Sequence, residues 1–599
     1  MAKNPPPRAV SSGAVSTRDW GMAALVVCAT FIAYLPSLSG DFIWNDSDYV
    51  TAPTLRSLSG LWQIWTQPGV TEQYYPLLHS AFWVQHLLWG DHTLPYHLVT
   101  LLLHAGSAVL FALVLRRLFD GETSPAASTK GSRSKVAAAE PAPRRCAGAE
   151  WIAALIFALH PVHVESVAWI TEQKNTLSLI FYLLAALTYL RYDQTRLPGP
   201  YYLALGWFVI SLLCKTVTAS LPAALLVAFW WRRGRLEWRR DFQPLIPWLL
   251  IGAGVGLFTS WVEQHYLGAK GQDFNLPFLS RGLIAGRAVW FYLGKFVWPF
   301  DLNFIYPRWV PDASSGWQWL YPLGVLALTA GLWAVRRRTR APLAAFLFFV
   351  GSLFPVLGFV NLYGSLYSFV WDHWQYLPDL GLAALAGTAL VQAWAWTSIR
   401  LNWAGPALAV VLAGFLGALA WDHCGMFHDD QVLFHTTLAR NSAAWMAHFN
   451  LGGHLSKTPG HEAEAVPEFE AALRINPDLP DAHYNLGTIL SRIPGRLPEG
   501  ISHFEAAVRL APDNAAIRYN FGNVLLRIPE RLPDAIVQYR EAVRINPGMA
   551  EAQYNLGIAL IQDPALVPEA ITHFEAALKI NPDFPLAQEI MRRWRAGQR

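Results

Sequence analysis

Glycines recur at a fixed interval of 35 residues in the last part of this chain, at Gly452, Gly487, Gly522 and Gly557. Ala472, Ala507, Ala542 and Ala577 keep the interval, as do the aromatics Phe469, Phe504, Tyr539 and Phe574. Pro477, Pro512, Pro547 and Pro582 close each unit. Four copies in one register predict a stack of two-helix units. Small residues at two offsets let the paired helices approach, the aromatic fills the wedge, and proline starts the next helix. Such a unit cannot bury its apolar face alone, so the copies stack into an α-solenoid.

The period is that of the tetratricopeptide pattern, with one extra residue in the turn between the helices. The insertion coincides with IPGRLPE, IPERLPD and DPALVPE. Four repeats span about 442–581, with a half-repeat at 428–441 and a capping helix at 583–596. Asn450, Asn485, Asn520 and Asn555 fall once per repeat on the first helix. Two readings stay open for them. They bond within and between repeats, or they form a concave-face ladder that binds an extended acceptor peptide.

The chain ahead of the repeats is of another kind. The protein is 53% hydrophobic and 15% charged, against about 25% charged in ordinary soluble domains. That excludes a disordered chain, a collagen-like fibre and a disulfide scaffold. Apolar runs of spanning length occur at about 20–38, 95–115, 149–163, 175–191, 200–213, 216–231, 244–266, 317–335, 342–361, 377–397 and 403–421. Eleven spans with a cytoplasmic N-terminus leave 22 Lys/Arg inside and 8 outside, as the positive-inside rule requires. Counting 281–298 as a twelfth span would turn the Arg336–Arg340 cluster outward. That segment, which carries Arg281, Arg287 and Lys295, is expected on the outer surface.

The organisation that follows is a cytoplasmic tail (1–19), a multispanning domain (20–423) and a repeat domain (424–599). The first span reads as an uncleaved signal anchor. Residues 120–148 read as a flexible cytoplasmic loop. An odd span count puts the repeats outside the cytoplasm, and the lack of a eukaryotic retention signal points to a bacterial inner membrane. The net charge of +4 gives no argument for nucleic acid. The four cysteines lie far apart and form no metal or redox motif.

Chemistry is expected on the outer side. Asp46 and Asp48 follow the first span, in a long aromatic loop (39–91). Glycosyl transfer from a lipid phosphate needs a carboxylate to take the proton of the attacking hydroxyl. It also needs cations near the departing phosphate. Lys174, Lys215 and Arg308 are the candidate phosphate ligands, though a lysine at a span end also serves as an interface anchor. His163 and Glu165 lie in HPVHVE, where Pro161 breaks metal-ligand spacing, so no metal is assigned and the two are expected to bind substrate. Asp372, His373 and Tyr376, in DHWQY, line a sugar site or an interfacial belt.

Six strings carry a family resemblance: FIWNDSDYV, QYYPLLHSAFW, ALHPVHVESVAWITEQKNTLS, KTVTASLPAALL, FYLGKFVWPFDLNFIYPRW and DHWQYLPDLG. Together with the repeats, over about 20–590, the chain resembles bacterial relatives of the transmembrane and tetratricopeptide-repeat O-mannosyltransferases, which are GT-C-type enzymes. The resemblance implies inverting transfer of mannose or another hexose from a polyprenyl-phosphate donor to Ser/Thr of a protein acceptor. It implies no cofactor and places the catalytic carboxylate in the first outer loop. Where the family carries adjacent acids, this chain has Asn45-Asp46 and Ser47-Asp48. Asp46 keeps the second position and takes the base role, with Asp48 as its substitute. Two rivals remain at this stage: an envelope scaffold that recruits partners through its repeats, and a lipid-linked glycan ligase or polymerase.

Overall fold

The computed structural model describes residues 16–120, 147–397 and 403–597. Most of the tail expected at 1–19 and of the loop expected at 120–148 lies outside the described residues. Every regular element among the described residues is helical. The chain divides into two compact units, Met1–Thr436 and Thr437–Arg599.

In the first unit, Thr93–Asp120, Trp238–His265, Gly316–Val335 and Ala404–Phe427 are long and apolar enough to cross a membrane. Ala149–Leu159 and Pro161–Ala168 meet at a 52° bend and together pass the same test. Pro198–Cys214 and Ala341–Val356 are shorter apolar helices. Thr17–Ala33 starts with a capping box, in which the Ser16 side chain accepts from the Asp19 backbone and Asp19 accepts from the Ser16 backbone. Asp19 also pairs with Arg116, tying this helix to Thr93–Asp120.

Small residues set the closest helix approaches. A Cβ on Gly387 would lie 2.7 Å from the Ala153 backbone nitrogen, so Asp379–Thr397 rests directly on Ala149–Leu159. The segment expected on the outer surface forms the helix Phe278–Val297, which buries Ala288, Val289 and Tyr292 against Phe346, Phe349 and Leu353. Its three cations all have partners. Arg281 donates to the Gly358 carbonyl and Asn361, Arg287 sits over Trp309, and Lys295 donates to the carbonyls of Phe300 and Asp301.

The break after Leu159 positions the site. Proline at 161 removes a backbone donor and disfavours helix at His160, which is extended. The chain then runs through the turn Pro161–His163, the helix Val164–Ala168 and the turn Ile170–Glu172 into the long helix Gln173–Thr195. Irregular backbone of this kind is tolerated at membrane depth only where protein surrounds it. Residues 160–176 are buried throughout.

The second unit is the expected repeat stack. Its helix pairs are Trp445–Lys457 with Ala465–Ile475, Pro480–Leu490 with Leu497–Leu510, Ala515–Leu525 with Leu532–Ile545, and Ala550–Leu560 with Val567–Ile580. The helix Pro585–Gly597 follows. Each periodic glycine faces its periodic aromatic. A Cβ at Gly487 would lie 2.9 Å from Phe504, and one at Gly522 would lie 2.7 Å from Tyr539. A second periodic device joins the helices of each pair 20 residues apart: His448 with Glu468, His483 with His503, Arg518 with Gln538, and Gln553 with His573.

Candidate active site

Asp46 opens the short helix Asp46–Thr51 and is fully buried. Its Oδ1 accepts from the Thr171 backbone N–H at 2.7 Å and from Thr171 Oγ1 at 2.6 Å. Its Oδ2 accepts from the Ile43 N–H at 3.0 Å. Burial pushes the carboxyl up from 3.8 to about 7, against the pull of those bonds, and the charge of Asp430 adds to the rise. A carboxyl that titrates near neutrality is suited to accept a proton. Asp48, two residues on, is exposed.

Thr171 is followed by the centre of a charged cluster. Glu172 is buried, with Lys174 Nζ at 2.7 Å, Lys215 Nζ at 3.3 Å and His373 Nε2 at 3.7 Å. Asn175 donates to Glu172 and accepts from Lys215. Burial alone would raise the Glu172 pKa. The charges of His373, Lys174 and Lys215 outweigh it and hold the carboxyl well below its usual range. Burial also pushes Lys215 down to about 8, with Lys174 adding and Glu172 opposing. Glu165 completes the frame, accepting from the His373 backbone N–H at 2.8 Å and lying 2.9 Å from His373 Nδ1. Asp372, next in sequence, accepts from the Tyr306 hydroxyl at 2.9 Å.

Aromatic rings wall this cluster. Trp44 stacks on Trp169 at 5.3 Å and meets Phe304 edge-on at 5.3 Å. Lys174 Nζ lies 5.2 Å from the Tyr49 ring and 5.8 Å from the Trp169 ring. Trp44 has φ of 49°, a conformation costly for a bulky residue, and its N–H is held by Asp430 Oδ1 at 2.7 Å. Strain of this kind persists only where the surroundings impose it. Trp169 Nε1 is buried without a hydrogen-bond partner.

The sequence-flagged residues therefore divide into groups. Asp46, Lys174, Lys215, Glu165, Asp372 and His373 come together in one connected region. His163 and Tyr376 lie in an adjoining buried seam: His163 pairs with Asp379 at 3.1 Å, and Tyr376 bonds His104 at 2.7 Å. Arg308 is not in the cluster. It pairs with Asp273 at 3.0 Å and covers the Phe369 ring. No group of three or more metal-ligating side chains occurs among the described residues. In the repeats, Asn520 donates to Tyr484 Oη at 3.1 Å and Asn555 to Tyr519 Oη at 3.2 Å, so both amides stitch one repeat to the one before. Asn450 donates to the Met446 carbonyl, and Asn485 is half-buried.

Sequence reasoning did not single out Thr171, Glu172, His104 or Asp379. Their signal was faint: polar residues in strings where a span boundary accounts equally well for polarity.

The tetratricopeptide repeat family matches residues 460–515, 494–550 and 529–585. Among curated proteins, the chain is 30% identical over 212 residues to the human protein O-mannosyl-transferase TMTC4, covering 32% of this chain and 27% of that protein. It is 31% identical over 228 residues to Tmtc1 of Drosophila melanogaster, covering 36% and 23%. It is 24% identical over 519 residues to human TMTC1, covering 76% and 55%. The match thus spans about a quarter of the length of the first two and about half of the third. Among solved structures, YrrB, described as a TPR protein with an unusual peptide-binding site, is 25% identical with a TM-score of 0.24, covering 31% of this chain and 90% of that one. Membrane-capable apolar helices followed by tetratricopeptide repeats, with sequence similarity in both halves of that architecture, make the chain a relative of the TMTC protein O-mannosyl-transferases.

Proposed function

We propose that the protein is a membrane glycosyltransferase that moves mannose or another hexose from a polyprenyl-phosphate donor to Ser/Thr hydroxyls of a protein acceptor. The observation that carries this reading is the seating of Asp46 on Thr171, one residue before the Glu172–Lys174–Lys215 cluster. In the step proposed, the acceptor hydroxyl oxygen forms a bond to the sugar C1. The bond from C1 to the phosphate oxygen breaks, and polyprenyl phosphate leaves as an anion. Asp46 takes the hydroxyl proton. Lys174 and Lys215, two cations sharing one carboxylate, stabilise the phosphate as charge develops on it. A single displacement inverts the anomeric centre.

The neighbouring aromatic rings and the unpartnered Trp169 N–H suit a sugar. The repeats would present the acceptor, with the Asn ladder as its contact surface. Residues 20–423 would form the membrane domain, with the site and the repeats on the side away from the cytoplasm.

Turnover of a panel of polyprenyl-phosphate hexoses with protein acceptors, by full-length protein in nanodiscs, tests the reading. Asp46→Asn should fold and lose transfer. Transfer that survives in Asp46→Asn but not in Asp48→Asn would move the base to Asp48. A folded protein that neither binds nor turns over any donor would overturn the enzyme reading and leave the scaffold.

A further inference from the structure

A cavity of about 240 Å³ lies beside the charged cluster and takes no part in the step above. Its wall includes Tyr49, Arg56, His79, Trp83 and His86. His79 is 3% exposed, yet its Nε2 has no hydrogen-bond partner. A buried polar atom with no partner is uncommon in a settled fold. Burial, with the charge of Lys174 adding, pushes this imidazole down to about 4, against its contacts with the carbonyls of Gln73 and Tyr49, so the ring is neutral at pH 7. A neutral ring nitrogen pairs with a hydroxyl. Arg56 supplies a cation at the rim. It lies 3.7 Å from the exposed Asp91, which is also 3.6 Å from His86.

The same elements expose a broad apolar surface. Leu58, Trp62, Leu87 and Leu88 on the helices Leu58–Thr66 and Pro76–Trp89 are each more than 60% exposed. Tryptophans and leucines so placed around a polar cavity mark headgroup depth in a bilayer.

We propose that this cavity binds the headgroup of an anionic, hydroxylated membrane phospholipid, with Arg56 on the phosphate and His79 Nε2 on a headgroup hydroxyl. The chains of the lipid lie against the exposed Leu and Trp side chains. The site is separate from the proposed donor site, and its occupancy does not depend on transfer activity.

The test uses full-length protein in nanodiscs of phosphatidylcholine mixed with phosphatidylglycerol, and counts retained lipid by native mass spectrometry. Phosphatidylglycerol should be retained in preference. Arg56→Gln should weaken retention by about tenfold or more, the loss of one charge-assisted contact. His79→Phe should remove the preference for phosphatidylglycerol over phosphatidic acid, which lacks the hydroxyl. If the buried His79 variant does not fold, the rim variant still decides. Equal retention of both lipids, or retention unchanged by Arg56→Gln, overturns the proposal. Displacement of the lipid by soluble glycerol phosphate at matched concentration also overturns it, assigning the cavity to a free phosphate ester. Displacement by polyprenyl phosphate, with transfer lost in Arg56→Gln, overturns it by making the cavity part of the donor site.

Discussion

Asp46 and Thr171 lie 125 residues apart in sequence, yet the carboxylate of one accepts both the backbone N–H and the hydroxyl of the other. The loop that follows Thr17–Ala33 is thereby fastened to the turn that leads into the charged helix start at Gln173. Both Thr171 bonds favour the ionised carboxylate, whereas burial favours the acid, and the balance falls near neutrality.

This balance predicts a bell-shaped pH dependence of transfer. Activity should rise as Asp46 ionises, through about pH 7, and fall as Lys215 loses its proton, through about pH 8. Thr171→Val removes one hydrogen bond to the charged form, so its rising limb should move up by about one pH unit. The effect on stability has the opposite sense. A carboxyl raised above its ordinary 3.8 contributes stability below that value, and the contribution is lost as pH rises through about 7. Asp46→Asn should therefore show a flatter stability profile between those limits. A flat activity profile in the wild type would contradict the assignment of both groups.

Glu172 is the shared counter-ion of the buried Lys174 and the half-buried Lys215, and its neutral isostere should be costly. Glu172→Gln leaves Lys174 and Lys215 facing each other with less compensation, and a loss of about 3–5 kcal/mol is expected. Thermal unfolding in detergent measures it. Because the folded carboxyl lies below its ordinary range, the wild-type contribution is present above that range and is lost only in strong acid.

Gly387 marks a close helix crossing in the first unit. Gly387→Val would drive its Cβ into the Ala153 backbone. Overpacking of that kind costs about 1–3 kcal/mol. The variant should unfold at lower temperature, while Gly414→Ala, whose added methyl would meet nothing within 4 Å, should be neutral.

The second repeat contains an acid-sensitive joint. His483 Nδ1 and His503 Nδ1 are 2.9 Å apart, a contact that allows one proton between them. Burial depresses both pKa values below 6.5, with the approach of His483 adding to the effect on His503. The stability they confer is therefore full above that value and lost as pH falls below it. His503→Gln reproduces the Arg518–Gln538 type of pairing and should remove the acid sensitivity, read as hydrogen exchange in the helices Pro480–Leu490 and Leu497–Leu510.

The Asn ladder has separable roles. Tyr484→Phe removes the hydroxyl that accepts from Asn520 and should cost about 1 kcal/mol in the repeat unit. If the amides also hold an acceptor peptide, Asn520→Ala with Asn555→Ala should weaken peptide binding by about tenfold, while Tyr484→Phe leaves it near the wild-type value.

The repeat stack was legible in the sequence because its information is periodic. Gly487 and Phe504 announce their contact by recurring together, and no long-range inference is needed. Lys174 and Lys215 could be singled out as cations at span ends, but not distinguished from interface anchors. That distinction rests on Glu172, whose own string, ITEQKN, reads equally well as a wet loop. The pairing of Asp46 with Thr171 left no local mark at all, since a threonine near a span carries no periodicity and no charge. Arg308 shows the converse: its residue type suits phosphate, but Asp273 and Phe369 occupy it. His163 was visible through HPVHVE, yet its partner Asp379 lies 216 residues away.

The stitching of the third and fourth repeats to their predecessors has a genetic corollary. Asn520 reaches Tyr484 and Asn555 reaches Tyr519 across the same separation of 36 residues, and each glycine meets its own aromatic. These two junctions between units are thus alike. Duplicating or excising a block of one whole period keeps the register of the stack, whereas a block one codon longer or shorter rotates all that follows out of phase. The array can change length in evolution by unequal crossing-over without first passing through a misfolded ancestor.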